Sequence, residues 1–218
     1  MKRRFLLHGL PLLGAAALGL RLNAAWAAEE APDALIGRLT QEALDIIQAD
    51  KAVQAGDVGR IMEVMDQKIM PFLDFQRMTS SAVGPGWRQA TPEQRTRLQA
   101  EFKTLLVRTY SGAMSQAKNL TFSLKPMRSS PEDKDVIVRT LIKGRGDPVQ
   151  LDYRLEKTPG EGAGWKIYNL NVLGVWLVDT YRSQFSQEIN AKGIDGLIAT
   201  LSERNKANAV GDTKSAKG

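Results

Sequence analysis

Hydrophobic residues return every three to four positions in several segments between residues 36 and 117, which is the spacing of amphipathic helices. The pattern predicts one helix around residues 36–47 and a second around residues 58–69, ended by Pro71. A longer helix is predicted to begin at Thr91, because Thr91, Pro92 and Gln94 together form the start signal of a capping box. The first half of the chain is therefore predicted to be helical.

The hydrophobic period changes to two at Leu120, and this predicts four β-strands, at residues 120–124, 136–142, 149–157 and 165–172. The third strand alternates apolar and polar side chains strictly, as in a sheet with one wet face. Glycines and prolines separate the strands. The fold class predicted is α+β, with a twisted antiparallel four-stranded sheet covered by helices on one face, an arrangement that can enclose a cavity.

The segment NLNVLGVWLVDTYRSQF, residues 169–185, begins as a strand and continues as a helix beyond Gly174. It carries few charges and much apolar surface. A last helix is predicted around residues 194–201. Residues 204–218 have almost nothing to bury, and we expect them to form a disordered tail.

The first 27 residues are typical of a signal peptide. Three basic residues precede an apolar stretch, and Ala25-Trp26-Ala27 resembles a cleavage site, so we expect cleavage near Ala27 and export. Both the general secretory and the twin-arginine route fit this segment. The working domain is then predicted to span residues 28–203. The segment holds four basic and no acidic residues, so it contributes most of the net charge of +6, and a nucleic-acid-binding patch is not indicated.

The chain contains no cysteine, and its single histidine, His8, lies inside the predicted signal peptide. Disulfide bonds, thiol nucleophiles and histidine acids or bases are thereby excluded for the exported chain. Structural zinc sites built on these residues are excluded as well. No cofactor or metal site is predicted.

Three short motifs favour ordinary structure over chemistry. Ser115-Gln116-Ala117-Lys118 has the serine–lysine spacing of penicillin-recognising enzymes but lacks their companion motifs. The acidic run at residues 132–135 lacks the spacing and glycine of a calcium loop, and indicates a charged turn. The glycines at 160, 162 and 164 separate two strands rather than open a helix, so they do not form a phosphate loop.

Basic residues on or beside the long helix permit two interpretations, a solvated face or a docking surface for an acidic partner or lipid headgroup. Arg182 could likewise meet a phosphate or form a surface ion pair. These basic residues are Arg88, Arg95, Arg97, Lys103 and Arg108.

Five stretches, taken in order, resemble the MlaC family of periplasmic phospholipid carriers, also called toluene-tolerance proteins. They are PFLDFQRMTSSAVGPGW, TPEQRTRLQAEFKTLLVRTYSGAM, LDYRLEK, WKIYNLNVLGVWLVDTYRSQF and GIDGLIATL. The resemblance covers residues 32–201. It departs from the family at Tyr168-Asn169 and at residues 174–178, where members often have Tyr-Asp and Gly-Val-Ser-Leu-Val.

The resemblance implies a sheet and helices around an apolar cavity that holds acyl tails. It also implies a periplasmic carrier that shuttles phospholipid between an outer-membrane lipoprotein complex and an inner-membrane ABC transporter, which maintains outer-membrane lipid asymmetry. It implies no enzymatic activity. Our hypothesis for the lipid-binding residues, with Trp176 as apolar wall, is Tyr110, Tyr153, Val172, Trp176, Leu177 and Tyr181.

Two other functions remain open at this point. An exported adaptor would have a core filled by its own side chains and would carry no lipid. A lipid or peptidoglycan hydrolase would have to use carboxylate, serine, lysine or tyrosine side chains, because cysteine and histidine are missing.

Overall fold

The computed structural model of the protein describes residues 30–115, 119–130, 132–144 and 146–215. The predicted signal peptide and Lys118 of the serine–lysine motif lie outside these residues. Within the described ranges, no helix is both long enough and apolar enough to cross a membrane.

In the described part of the chain, six α-helices precede a sheet and one follows it. Aspartates cap three of them, since Asp50, Asp57 and Asp74 accept hydrogen bonds from backbone N–H groups of the first turns. The helices are α1 (Pro32–Ala49), α2 (Lys51–Gln54), α3 (Val58–Val64), α4 (Phe75–Val83), α5 (Gly86–Gln89), α6 (Pro92–Ser115) and α7 (Leu177–Ser215). A π-helical turn (Met65–Ile69) and a 3-10 turn (Met70–Phe72) join α3 to α4.

The capping box predicted at the start of α6 is confirmed. The Gln94 backbone N–H donates to Thr91 Oγ1 at 3.2 Å, and the Thr91 N–H donates to Gln94 Oε1 at 2.9 Å. Two backbone donors that the helix cannot satisfy internally are thus satisfied by side chains. This fixes where the longest uninterrupted helix begins.

The sheet has five antiparallel strands in the order β1-β2-β3-β4-β5. Their bounds are β1 (Thr121–Leu124), β2 (Asp135–Lys143), β3 (Val149–Lys157), β4 (Trp165–Val172) and β5 (Val175–Trp176). The α+β class is confirmed, and the prediction of four strands is corrected to five. The additional strand has only two residues, too few to show an alternating pattern in the sequence.

Two apolar clusters hold the layers together. The helical cluster is centred on Phe102 and is formed by buried side chains of α4, α6 and α7, including Phe75, Val83, Leu98, Phe185, Leu197 and Leu201. The sheet cluster lies between α1 and the sheet and consists of Leu35, Ile36, Leu39, Val136, Val138, Leu155, Trp165 and Ile167. Leu73 and Leu170 pack against both clusters, so the two form one continuous interior.

The last helix differs from the prediction. Gly193, with φ of +70°, breaks the helical geometry of α7, and this gives the two helical segments that the sequence indicates. The second segment then continues to Ser215, through most of the predicted disordered tail. At the start of this continuation, Asn205 Nδ2 donates to Glu101 O and Oε2 of α6 and extends the contact between the two helices.

A polar contact joins α4 to the sheet at Tyr168. The Arg77 guanidinium lies 3.7 Å from the Tyr168 ring centroid, and Arg77 also pairs with Glu156 of β3. The Tyr168 hydroxyl donates to the carboxylate of Asp135 at 2.7 and 2.8 Å. Burial, followed by the hydrogen bond to Asp135, raises the pKa of Tyr168 to about 12.

This pKa predicts a loss of stability at high pH. An unfolded tyrosine titrates near pH 10, so between pH 10 and 12 the unfolded chain loses the proton while the folded protein keeps it. The contribution of Tyr168 to the unfolding free energy is therefore complete below pH 10 and decreases as the pH rises to about 12. The unfolding free energy, measured with urea at several pH values in this range, should decrease less with pH for Tyr168→Phe than for the wild type. An equal dependence of the unfolding free energy on pH in the two proteins would contradict the raised pKa of Tyr168.

Candidate lipid-binding site

Four of the six predicted lipid-binding residues meet at the helical cluster. Leu177 and Tyr181, on the first turns of α7, are buried within it, and Tyr110 of α6 and Val172 of β4 pack against it. Tyr153 of β3 packs against the sheet cluster instead. These five residues therefore line the two sides of the interior, between the helices and the inner face of the sheet.

Trp176 lies apart from the other five. Its backbone pairs with Asn171, and Asn171 pairs with Asp152, so these side chains share the face of the sheet opposite to Val172. The Arg154 guanidinium lies 4.0 Å from the Trp176 ring centroid. The ring thus packs against a cation on the outer face of the sheet.

Aromatic rings form the centre of the helical cluster. The Phe102 ring has its centroid 5.0 Å from that of Tyr181 and 5.3 Å from that of Phe185, both in edge-to-face geometry. Phe75 lies 5.9 Å away on another side. Such contacts hold α4, α6 and the first segment of α7 in one packed unit.

The tyrosines of the site are uncharged. Desolvation by burial is the main cause that raises the pKa of Tyr110, Tyr153 and Tyr181, although hydrogen bonds to Thr140 and Thr40 oppose it at Tyr153 and one to Thr109 opposes it at Tyr181. At neutral pH the side chains offer apolar rings and neutral hydroxyl groups. A site of this composition suits a hydrocarbon ligand with a few polar atoms.

The structure has a cleft of about 160 Å³ between the two segments of α7, with Phe185, Leu197 and Leu201 among its lining residues. Pockets for drug-sized ligands have volumes of about 300–1,000 Å³, so this cleft is too small for two acyl chains. None of the six predicted residues lines it. A cavity at the predicted residues accordingly remains a proposal.

Sequence reasoning missed three apolar residues of the interior. Met70 packs against the helical cluster, and Leu73 and Leu170 pack against both clusters. Leu170 could have been found, because it alternates with Val172 on the same strand. Met70 directly precedes Pro71 and Leu73 follows it two residues later, and the sequence indicates Pro71 only as the end of a helix.

Three of the other candidates from the sequence, Asp133, Arg95 and Lys103, have structural partners. Asp133 accepts a hydrogen bond from the Ser130 N–H in the turn before β2, and within the described residues no group of acidic or histidine side chains is arranged to hold a metal ion. Arg95 donates to the Trp87 carbonyl at 3.1 Å, and Lys103 pairs with Asp66 at 2.7 Å. These contacts favour the solvated-face interpretation for two of the basic residues.

Two known proteins are similar in sequence to this chain over most of its length. The toluene tolerance protein ttg2D of Pseudomonas putida is 24% identical over 169 residues, which are 77% of this chain and 77% of the relative. The intermembrane phospholipid transport system binding protein MlaC of Haemophilus influenzae is 21% identical over 178 residues, which are 81% of this chain and 83% of the relative.

A solved structure is more similar in sequence. The phospholipid-binding protein of Ralstonia solanacearum, determined in complex with a phospholipid, is 42% identical and superimposes with a TM-score of 0.77, covering 81% of this chain and 98% of that one. The family model described as MlaC protein matches residues 37–203, which include every strand and the whole helical cluster. The chain therefore belongs to the MlaC family.

Proposed function

We propose that the protein is a phospholipid carrier of the periplasm. The observation that carries the proposal is the 42% identity, over nearly the whole length of the other protein, to a protein solved with a phospholipid bound. The apolar, uncharged interior between helices and sheet supports the same function. The proposal includes export of the chain after cleavage near Ala27, and no catalytic role.

The acyl tails are proposed to lie between the helical cluster and the inner face of the sheet. Tyr110, Leu177 and Tyr181 then form the helical wall, and Val172 and Tyr153 contribute to the wall formed by the sheet. In the described residues these side chains belong to, or pack against, the two apolar clusters, so lipid entry requires the two layers to separate. Trp176 is proposed to close the site from the outer face, where Arg154 covers its ring.

The energetics suit a carrier that works with partners. Two acyl chains hold on the order of 30 methylenes, and at ~0.8 kcal/mol each their burial contributes roughly 20 kcal/mol before opposing terms. That value is near the limit of non-covalent affinity, so spontaneous release would be slow. We therefore include the partners in the proposal: an outer-membrane lipoprotein complex and an inner-membrane ABC transporter, between which the carrier maintains outer-membrane lipid asymmetry.

One observation favours an alternative, an exported adaptor without a lipid ligand. Leu177 and Tyr181 are at most 9% exposed, so their own neighbours already fill the space around them. A lipid-free stable protein would fit that alternative.

A transfer experiment tests the partners separately from lipid binding. Protein loaded with radiolabelled phospholipid is incubated with inner- and outer-membrane vesicles of the source bacterium, and with protein-free liposomes of the same lipids. We expect faster transfer to or from the native membranes. Equal rates for native membranes and liposomes would contradict the shuttle while leaving lipid binding intact.

A further inference from the structure

The turn between β4 and β5 has an unusual residue at its tip. Leu173 and Gly174 connect the paired residues Val172 and Val175, and both have positive φ, +54° and +87°. A two-residue turn of this kind favours Asn, Asp or Gly at its first position, because those residues tolerate the left-handed region. Leucine in that conformation is strained.

Hydrogen bonds hold the strained turn in place. The Leu173 N–H donates to the Gln150 carbonyl at 3.1 Å, and the Gly174 N–H donates to Asn171 Oδ1 at 2.8 Å. The turn is thus tied to β3 on one side and to its own strand on the other. The conformation of Leu173 is imposed by the sheet and persists despite its cost.

The same turn exposes apolar surface. Leu173 is 66% exposed and Val175 is 48% exposed, and among the described residues the next large apolar side chain is Leu124 at 38%. Leu173 and Val175 lie on either side of Gly174, so they present their side chains at one point of the molecule. The strain opposes folding, and the exposed side chains gain little from burial, so neither feature is explained by stability.

We propose that this tip, defined as Leu173, Gly174 and Val175, inserts into the surface of a lipid bilayer. The inference rests on the proposed carrier function, because Val172 of the proposed lipid site directly precedes the tip. Contact at the tip would bring the edge of that site against the membrane during lipid uptake or release.

The chemistry of the tip favours a bilayer over a protein partner. Strong contacts between proteins are enriched in Trp, Tyr and Arg, whereas Leu and Val are under-represented. The tip offers only aliphatic side chains, and the nearby Trp176 ring is covered by Arg154. The Arg154 guanidinium in turn lies 3.6 Å from the Asp179 carboxylate, so the positive and the negative charge beside Trp176 largely neutralise each other. Two aliphatic side chains would hold the protein at a membrane only briefly, because even a whole myristoyl chain binds a membrane only marginally.

The variant Leu173→Asn tests the inference, with Leu124→Asn as the matched control on β1. We expect Leu173→Asn to raise Tm by roughly 2–4 °C, because asparagine relieves the strain, and to keep the wild-type phospholipid content. Its rate of transfer to vesicles of phosphatidylethanolamine and phosphatidylglycerol should fall about tenfold, the effect of removing one buried leucine. Leu124→Asn should transfer at the wild-type rate.

The outcomes separate the tip from the carrier function. Equal transfer by wild type and Leu173→Asn, with lipid content unchanged, would overturn membrane insertion and leave the carrier in place. Unchanged transfer to lipid vesicles together with weaker binding to a membrane protein would assign the tip to a protein partner, which also overturns the inference. Absence of phospholipid from the wild type would contradict the carrier function; flotation of that protein with vesicles would still show whether the tip binds them.

Discussion

Val172→Glu is expected to purify with less than roughly one tenth of the phospholipid that the wild type retains. Val172 lies on the inner face of β4 and packs against the helical cluster. A carboxylate at this position would face acyl chains, and moving it out of water costs several kcal/mol unless it is paired. Each 1.4 kcal/mol changes the affinity tenfold. Lipid extraction and quantitative mass spectrometry after detergent-free purification measure the effect.

Ile137→Glu provides the matched control. Ile137 pairs with Arg154 across β2 and β3 and shares the outer face of the sheet, where a new carboxylate has a cation opposite to it. We expect this variant to retain the wild-type lipid content. Equal loss in both variants would indicate a general effect on the sheet and would contradict the placement of the tails on its inner face.

Phe102→Ala is expected to lower the unfolding free energy by about 3–5 kcal/mol, the usual cost of removing a fully buried phenyl ring. Phe102 is completely buried and contacts the rings of Phe75, Tyr181 and Phe185. Its loss would leave a cavity where α4, α6 and α7 meet. Urea unfolding measures the change: the midpoint concentration of urea should fall while the m-value, the dependence of the unfolding free energy on urea, stays the same.

Phe122→Ala is the control for this variant. Phe122 lies on the edge strand β1 and is only partly buried. The same truncation should cost about 1 kcal/mol there, because less apolar surface returns to water. A similar loss at both positions would show that the helical cluster is not the main source of stability.

Much of the fold could be predicted because its signals are local. The alternation of apolar and polar residues located β3 and β4 at their observed bounds, and the pattern Thr91 to Gln94 located the start of α6. The two-residue strand β5 has no local signal, since it exists only through pairing with β4. The sequence also gives no local signal for the contact between Asn205 of α7 and Glu101 of α6, which lies beyond the predicted end of the last helix.

The positions of the six candidate residues in the fold could be predicted only in part, for a reason visible at Trp176. The apolar run around Gly174 gives no indication of which side chains share a face. In the structure the chain reverses at Leu173 and Gly174, Val175 pairs with Val172, and the next residue must point to the opposite face. Leu177 and Tyr181 come inward again because α7 begins there. A turn that leucine rarely adopts is not predicted from sequence.

The most direct test of the carrier function is the identification of what the protein carries. The chain is expressed with its export signal, purified from the periplasmic fraction without detergent, and examined by native mass spectrometry and lipid extraction. The proposal predicts stoichiometric phospholipid, and its mass gives the number of acyl chains. A stable, monodisperse protein that is free of lipid and does not take up added phospholipid would contradict the carrier function and favour the adaptor.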